Sequence, residues 1–151
     1  MSAYLIVVGK LKDKHLEAIE ADYLKRIKNP KLEIHEVKAK AENKDLEAEV
    51  VLKKAQDIAK GQNTFLIALT EFGQEFHSPE FSKWMYQKIE NHQHVIFVIA
   101  GAEGHGEAFL KQANAKLSLS KLTYPHKLAR IIFIEQFYRA MTIRDRHPYH
   151  N

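Results

Sequence analysis

The C-terminal stretch of the chain, residues 144–150, combines positive charge with flat rings in a short span. Arginine side chains contact phosphates, while tyrosine and histidine rings stack on unpaired bases. These residue types therefore predict contact with single-stranded RNA through Arg144, Arg146, His147, Tyr149 and His150. The alternative for the same residues is a tail that docks on its own homodimer.

A second candidate region is the glycine-rich turn Ala100–Gly106, which follows an apolar run. Its glycine spacing matches neither the dinucleotide fingerprint nor the P-loop. Glycines still allow a ligand to approach the backbone closely, and the alternative is a tight strand-to-helix turn. Four carboxylates could serve as acid–base groups, with surface or structural roles as the alternative for most of them: Glu71, Glu75, Glu103 and Glu135.

The residue types exclude several other chemistries. The chain has no cysteine, which rules out disulfides, thiolate zinc sites and cysteine nucleophiles. Its histidines, among them His92, His94, His147 and His150, show no zinc-ligand spacing, and we expect no metal. No Ser-His-Asp arrangement is recognisable from spacing.

Strands and helices alternate along the whole sequence. The apolar patterns predict strands at Tyr4–Val8, Leu32–Val37, Thr64–Leu69, Val95–Ile99 and Leu117–Ser120. Between the strands, five helices are predicted. The first is capped by Asp13, the second begins near Leu46, and the third starts at Ser78-Pro79-Glu80. The fourth and fifth are Glu107–Ala113 and Pro125–Ile143. This alternation predicts one α/β domain, residues 1–151, with a mostly parallel sheet.

Three of the predicted loops leave the carboxyl ends of strands, where open parallel sheets bind their ligands. They are Leu69–Gly73, Ala100–Gly106 and Ser120–Tyr124. We therefore expect a ligand site where these loops meet.

The helix Pro125–Ile143 is apolar on nearly every side, and a helix of this kind must be covered all round. A short domain has difficulty covering it alone, so we predict a homodimer whose interface includes it. Its charged residues, Arg130, Glu135 and Arg139, are accordingly not expected to be simple solubilising groups.

The formal net charge of +4 is compatible with a nucleic-acid partner without requiring one. Two basic groups, Lys25-Arg26-Lys28 and Lys38/Lys40/Lys44, are either solvated faces or RNA contacts. No apolar run is long enough to span a bilayer, and the apolar start is interpreted as a strand and not as a signal peptide. We expect a cytoplasmic protein with no membrane partner.

Three motifs resemble those of the ribosomal RNA large-subunit methyltransferase H family, small members of the SPOUT or α/β-knot methyltransferases. They are Ser118–His126, Glu135–Ala140 and His147–His150, and the resemblance extends over the whole chain. The sequence departs from the family at Ala100, where a second glycine is common, and at Thr70-Glu71, where an aspartate often follows the leucine.

The resemblance implies a fold and an activity that the residues alone do not give. The implied fold is a SPOUT-type α/β knot, in which the C-terminal segment threads a loop to form a trefoil knot that holds the cofactor. The implied activity is transfer of a methyl group from S-adenosylmethionine to N3 of a pseudouridine in helix 69 of 23S ribosomal RNA, on the assembled ribosome.

The resemblance also implies which residues form the site. The cofactor residues are Leu69, Gly101, Leu119, Ser120, Lys121, Leu122, Thr123 and Tyr124, which lie in the three loops chosen above. Loss of the N3 proton needs a base or a water route, for which His126, Glu103, Tyr149 and His150 are candidates. Arg139 either orients the ribose or a phosphate, or pairs with Glu135 at helical spacing.

Two other classes of function remain as alternatives. One is a ribosome-binding module with the same fold and an inactive cofactor site. The other is a small-molecule α/β enzyme with incidental basic charge. Cofactor binding distinguishes the methyltransferase from the first, and salt-sensitive ribosome association distinguishes both from the second.

Overall fold

A computed structural model describes residues 1–41 and 43–151 of the chain. Within these residues, five strands form one parallel sheet in the order β2-β1-β4-β3-β5. The α/β class and the parallel sheet that the sequence predicts are therefore confirmed, whereas the knot stays a prediction. The elements in chain order are β1 Ser2–Val8, α1 Lys14–Arg26, β2 Leu32–Val37, α2 Lys44–Ala59, β3 Thr64–Gln74, α3 Ser78–Asn91, β4 His94–Ile99, α4 Glu107–Gln112, β5 Ala115–Leu117 and α5 His126–Arg144.

The helices cover the sheet on both faces. On one face, α1, α3 and α5 pack on the alternate strand residues Leu5, Ile67 and Phe97, all fully buried. On the other face, α2 and α4 pack on the intervening residues, such as Ile6 and Val98. Strands buried on both faces explain the continuous apolar runs in the sequence.

Local signals fix the helix starts close to the predicted positions. Asp13 accepts hydrogen bonds from the backbone N–H groups of His15 and Leu16, at 2.9 and 3.0 Å, and so caps α1 as predicted. The prediction for α3 is wrong by one residue: His77 is the N-cap, and its N–H donates to Glu80 Oε1. Ser78 lies inside the first turn, where its hydroxyl donates to the side chain of Gln136.

Two predicted strand ends are corrected. The sequence places a loop from Thr70 to His77, but β3 runs on to Gln74 through an irregularity at which Leu69 and Gln74 both face Leu117. The last strand was predicted as Leu117–Ser120, but it ends at Leu117, so Ser118–Ser120 belong to the following loop. The alternating pattern there does not mark a strand, since Ser118 is buried like Leu117 and its hydroxyl is hydrogen-bonded within the loop.

Helix α5 lies between α1 and α3 and is held by an ion-pair cluster around the buried Arg130. Arg130, only 4% exposed, donates to both oxygens of Glu20 at 2.6 and 2.9 Å and to Glu36 at 2.7 Å. Since Glu20 lies in α1 and Glu36 in β2, the cluster fixes the start of α5 against two elements. The charge on Arg130 is thus structural, consistent with the expectation that it is no solubilising group.

Candidate functional site

The three predicted loops meet around a cavity of about 880 Å³ at the carboxyl end of the sheet. Its lining consists of residues 69–72, 99–105, 119–120 and 122–126, with Leu110 and Ala129. Because β3, β4 and β5 are parallel, their carboxyl ends face the same side and bring the loops together. The volume lies within the usual range of small-molecule sites, about 300–1,000 Å³.

The loop after β5 is folded by hydrogen bonds of its own small polar side chains. Ser118 Oγ donates to the carbonyl of Ser120 at 2.8 Å, and Ser120 Oγ accepts from the N–H of Leu122 at 3.0 Å. Seven of the eight predicted cofactor residues line the cavity, the exception being Lys121. The Lys121 side chain is 85% exposed and its Nζ lies 3.8 Å from Glu75 Oε1, outside the lining.

The glycine turn after β4 is shaped by contacts with α2. A Cβ on Gly101 would lie 3.1 Å from Glu47 Oε1 and 3.2 Å from Val8 Cγ1, and one on Gly106 would lie 2.6 Å from the Lys44 carbonyl. Gly104 has a φ of +84°, a conformation that favours glycine. Gly101 is thus restricted on the side facing the buried Glu47, which the sequence pattern alone did not reveal.

His105 joins two of the cavity loops. Its Nε2–H donates to the Leu69 carbonyl at 2.8 Å, and its ring stacks on Phe109 with centroids 5.2 Å apart. Burial lowers the pKa of His105 below its usual value, so the ring is neutral at neutral pH. His105 was not a predicted site residue, since a lone histidine in a glycine turn gives no signal in a sequence.

The irregular end of β3 contributes further lining residues, which lie in the predicted loop Leu69–Gly73 but were not among the eight predicted cofactor residues. A Cβ on Gly73 would lie 2.6–2.7 Å from the backbone of Lys116 and Leu117, so only glycine allows β3 to approach β5 this closely. The bulge places Thr70, Glu71 and Phe72 in the cavity wall. Glu71 accepts a hydrogen bond from the Thr123 hydroxyl, and Phe72 is 86% exposed.

Of the four predicted catalytic residues, only His126 lines the cavity. It lies in the first turn of α5, whereas Arg139 lies thirteen residues further along the same helix, about 20 Å away along the axis. Arg139, Tyr149 and His150 are not in the lining of this cavity. The structure therefore separates the predicted catalytic set into two places.

The second place is a hydrogen-bonded group at the end of α5, here called the tail cluster: Glu135, Arg139, Tyr149 and His150. Arg139 donates to Glu135 Oε2 at 2.9 Å and to His150 Nδ1 at 3.0 Å. The Tyr149 hydroxyl donates to the same Glu135 oxygen at 2.8 Å, and the Arg139 guanidinium lies 4.8 Å from the Tyr149 ring centroid. The predicted Arg139–Glu135 pair is thus present.

The proton positions in the tail cluster follow from its hydrogen bonds. Since the Tyr149 hydroxyl donates its one hydrogen bond to Glu135, its oxygen accepts a hydrogen bond from the Tyr23 hydroxyl, 3.2 Å away. Burial, with these two hydrogen bonds, raises the pKa of Tyr149 well above its usual value, so it stays protonated at neutral pH. His150 accepts through Nδ1, which places the proton of the neutral ring on Nε2. In this arrangement neither side chain is a ready base.

The remaining tail residues differ in their contacts. Arg144 pairs with the neighbouring Asp145 at 2.8 Å and lies over the Tyr86 ring at 4.3 Å, so its charge is used within the chain. Arg146 is exposed, and His147 Nδ1 accepts from the N–H of Tyr149 at 3.2 Å. The predicted RNA contacts of the tail stay predictions.

The described residues contain neither a group of metal-ligand side chains nor a helix that could span a membrane. Across residues 1–41 and 43–151, His, Cys, Asp and Glu side chains form no group of three or more that could hold a metal ion. Within the same residues, no helix has both the length and the apolar character to cross a membrane.

Comparison with known proteins identifies the relatives of this sequence. The sequence profile of the family described as "Predicted SPOUT methyltransferase" matches residues 1–150. Curated relatives named ribosomal RNA large subunit methyltransferase H include that of Bacteroides fragilis, 34% identical over 161 residues, which cover 100% of this chain and 99% of the relative. Those of Clostridium botulinum and Streptococcus sanguinis are 39% and 38% identical, each over 99% of both chains.

Proposed function

The chain belongs to the SPOUT methyltransferase family, and on this premise we propose that it methylates ribosomal RNA of the large subunit. The specific proposal is transfer of a methyl group from S-adenosylmethionine to N3 of a pseudouridine in helix 69, on the assembled ribosome and therefore in the cytoplasm. The observation that supports it most is the meeting of three loops around one cavity. Seven of the eight residues that the resemblance implies for the cofactor line that cavity.

The lining suits an adenosyl cofactor with a positively charged sulfonium. Apolar side chains of Leu69, Leu119 and Leu122 provide surface for a purine, and the glycine turn leaves backbone groups accessible. Glu71 and Glu103 bring carboxylates to the wall, which attract positive charge and accept hydrogen bonds from hydroxyls. We propose that these residues hold S-adenosylmethionine, which supplies an activated methyl group.

The contribution of the protein to such a transfer is mainly positioning. Holding an acceptor nitrogen in line with an activated methyl group is worth up to about 7–11 kcal/mol of the barrier. The His105 tether and the ion-pair cluster of Arg130 hold the cavity loops and the start of α5 in fixed positions. The cavity can therefore orient the two reactants without rearranging its own walls.

The proton on N3 of the acceptor has to leave, and the hydrogen bonds favour the cavity as the place of the base. Tyr149 stays protonated, and His150 uses its free ring nitrogen to accept from Arg139. His126 and Glu103, by contrast, line the cavity. We propose that one of these two takes the proton, while the tail cluster recognises the nucleotide.

A homodimer would bring the two places together. An incompletely covered stripe runs along α5 from Leu128, 44% exposed, through Ile132 and Glu135 to Arg139. These positions share one face of the helix. If two copies pack these stripes against each other around a twofold axis with α5 antiparallel, the tail cluster of each copy lies next to the cavity of the other. We propose that the working site is composed in this way.

Two measurements on the same preparation test the proposed function. Calorimetric titration with S-adenosylmethionine should show saturable binding, and tritiated-methyl transfer should label ribosomes that lack the modification. Ribosomes that already carry the methyl group are the control. Binding without transfer to any ribosomal particle would contradict the proposed reaction, and absence of binding would favour a module with an inactive site.

A further inference from the structure

The positive charge of the chain is concentrated in two loops. The first, with the opening residue of α1, spans residues 9–14 and carries Lys10, Lys12 and Lys14. The second, with the opening residue of α2, spans residues 38–44 and carries Lys38, Lys40 and Lys44. These six lysines, here called the lysine platform, are opposed within the loops only by Asp13 and Glu42. The two loops thus hold a net charge of +4, equal to that of the whole chain, and all other residues together are neutral.

The fold places both loops at the end of the sheet that carries the cavity. They follow β1 and β2, which are parallel neighbours with Val8 facing Val37. Strand β1 also pairs with β4, where Val7 faces Ile99, so the first loop starts beside the glycine turn. The second loop touches that turn directly, because the Lys44 carbonyl lies against Gly106.

The backbone of the platform is well held while its side chains point outward. The N–H of Gly9 donates to the Val37 carbonyl at 2.8 Å, and that of Leu11 donates to Glu36 at 3.2 Å. In the second loop, the N–H of Lys40 donates to the buried Glu47 at 3.0 Å. Five of the six lysines are exposed, and Lys40 is half-buried.

Within residues 1–41 and 43–151, the acids near the platform are engaged elsewhere. Among residues 1–41 and 43–151, none of the six lysines forms an ion pair. Asp13 is engaged in capping α1, Glu36 is bound by Arg130, and Glu47 is buried. A rigid backbone with several unpaired ammonium groups is suited to a polyanion with regularly spaced charges.

We infer that the lysine platform binds the phosphate backbone of the RNA whose base enters the cavity. The inference rests on the proposed function, because it takes RNA as the substrate. Lysine is a flexible point charge without the bidentate geometry of arginine, so the platform contributes affinity and not base selectivity. Selection of the nucleotide is then left to the cavity and the tail cluster.

The test removes four charges from the platform and four from the opposite end of the sheet. The platform variant is K10Q/K12Q/K38Q/K44Q. The control, K25Q/K31Q/K60Q/K111Q, removes the same charge from exposed lysines at the end of α1, the start of β2, the end of α2 and the end of α4. Both keep the cavity residues, and a titration with S-adenosylmethionine confirms that each variant is folded.

We expect the platform variant to raise the KM for unmodified ribosomes at least about tenfold, with kcat within about twofold of wild type. The slope of log affinity against log salt should fall by about one unit for each phosphate that the variant no longer neutralises. The control should stay within about threefold in KM. Equal changes in both variants would show that only net charge matters, and would overturn the inference.

A second binding measurement separates this inference from the proposed function. Affinity for protein-free 23S ribosomal RNA is measured by filter retention without the methyl donor. Loss of that affinity in the platform variant, but not in the control, supports RNA binding by the platform. This holds even if the wild type transfers no methyl group, because absence of transfer would contradict only the proposed function. Unchanged affinity for the free RNA, with loss for ribosomes, would indicate a ribosomal protein as the partner and overturn the inference.

Discussion

The cavity and the tail cluster lie at opposite ends of α5, and they differ in whether backbone or side chains define them. The cavity is formed by loops whose shape depends on glycines, such as Gly73, Gly101 and Gly106, and on short-range hydrogen bonds. The tail cluster is formed by long polar side chains that satisfy one another, centred on Arg139 and Glu135. The cavity therefore depends on the conformation of the backbone, and the tail cluster depends on the polar groups of its side chains.

This difference explains which departures from the family pattern the site can accept. Ala100 and Thr70 line the cavity, and neither has a positive φ, so neither position requires the backbone conformation that favours glycine. Each polar group of the tail cluster, by contrast, holds a specific partner, so a replacement leaves that partner without its hydrogen bond. We therefore expect cavity variants to fail through backbone crowding and cluster variants through missing polar groups.

The largest expected effect comes from breaking the ion-pair cluster at the start of the helix that joins both regions. Arg130→Met removes a buried guanidinium and leaves Glu20, whose side chain is 12% exposed, and the more exposed Glu36 without their partner, and should lower the free energy of unfolding by about 3 kcal/mol. Asp22→Asn, which breaks the exposed Asp22–Arg26 pair, is the control and should cost at most about 0.5 kcal/mol. Urea denaturation measures both, and equal costs would mean that the buried cluster does not hold α5.

The second effect concerns the backbone-built region. Gly101→Val adds atoms that meet Glu47 and Val8, and the shifted turn should weaken S-adenosylmethionine binding at least about a hundredfold, or ~2.7 kcal/mol. The far-ultraviolet circular dichroism should stay near that of wild type. Calorimetric titration checks the affinity, with Ala108→Ser, an exposed position outside the cavity lining, as the control.

A second substitution tests the reason for that weaker binding. Adding Glu47→Ala to Gly101→Val vacates the space that the valine needs, so part of the affinity should return. If Gly101→Val alone binds the cofactor normally, the cofactor site does not lie in this cavity.

The third effect concerns the side-chain-built region. Deleting Pro148–Asn151 removes Tyr149 and His150 from the tail cluster but no residue of the cavity. Ribosome methylation should fall at least about tenfold, or ~1.4 kcal/mol, while affinity for S-adenosylmethionine stays within a few-fold. Parallel transfer assays and titrations measure the two. Loss of cofactor binding would show that the tail belongs to the cofactor pocket, and unchanged transfer would make the tail merely structural.

The smallest effect is a pH dependence of stability in the cavity loops. Burial lowers the pKa of His105 below its unfolded value of 6.5. Its contribution to stability is therefore fully present above pH 6.5 and is lost as the pH falls through the lower, folded pKa. In the His105→Gln variant, the free energy of unfolding should therefore fall less steeply below pH 6.5 than in the wild type. Because burial also lowers the pKa of His94, His94→Gln is measured as well, and a decline that vanishes only in that variant would assign it to His94.

The sequence predicted most of the fold because its signals are local. Apolar runs such as Val95–Ile99 and the cap at Asp13 act over a few residues, and the structure confirms them. The bulge at Gly73 was not predicted, because its cause is close contact with Leu117, a residue distant in sequence. The partners of Arg130 were missed for the same reason, since Glu20 and Glu36 lie on other elements.

The cavity was located in advance because parallel strands bring their carboxyl-end loops together, and the resemblance named the same loops. The separation of His126 from Arg139, Tyr149 and His150 was not foreseen. A sequence motif does not give the distance between its residues in space. Only the length of α5 shows that His126 and Arg139 cannot meet within one straight helix.

The central claim is that the working site combines the cavity of one chain with the tail cluster of another. The most direct test is a heterodimer of the Gly101→Val chain and the chain lacking residues 148–151, co-expressed with different tags and purified through both. Each parent homodimer should be nearly inactive in methyl transfer. The heterodimer contains one composite site with an intact cavity and an intact tail, and should show about half the wild-type activity per dimer. A heterodimer no more active than its parents, or a wild-type chain that is monomeric while active, would contradict the account.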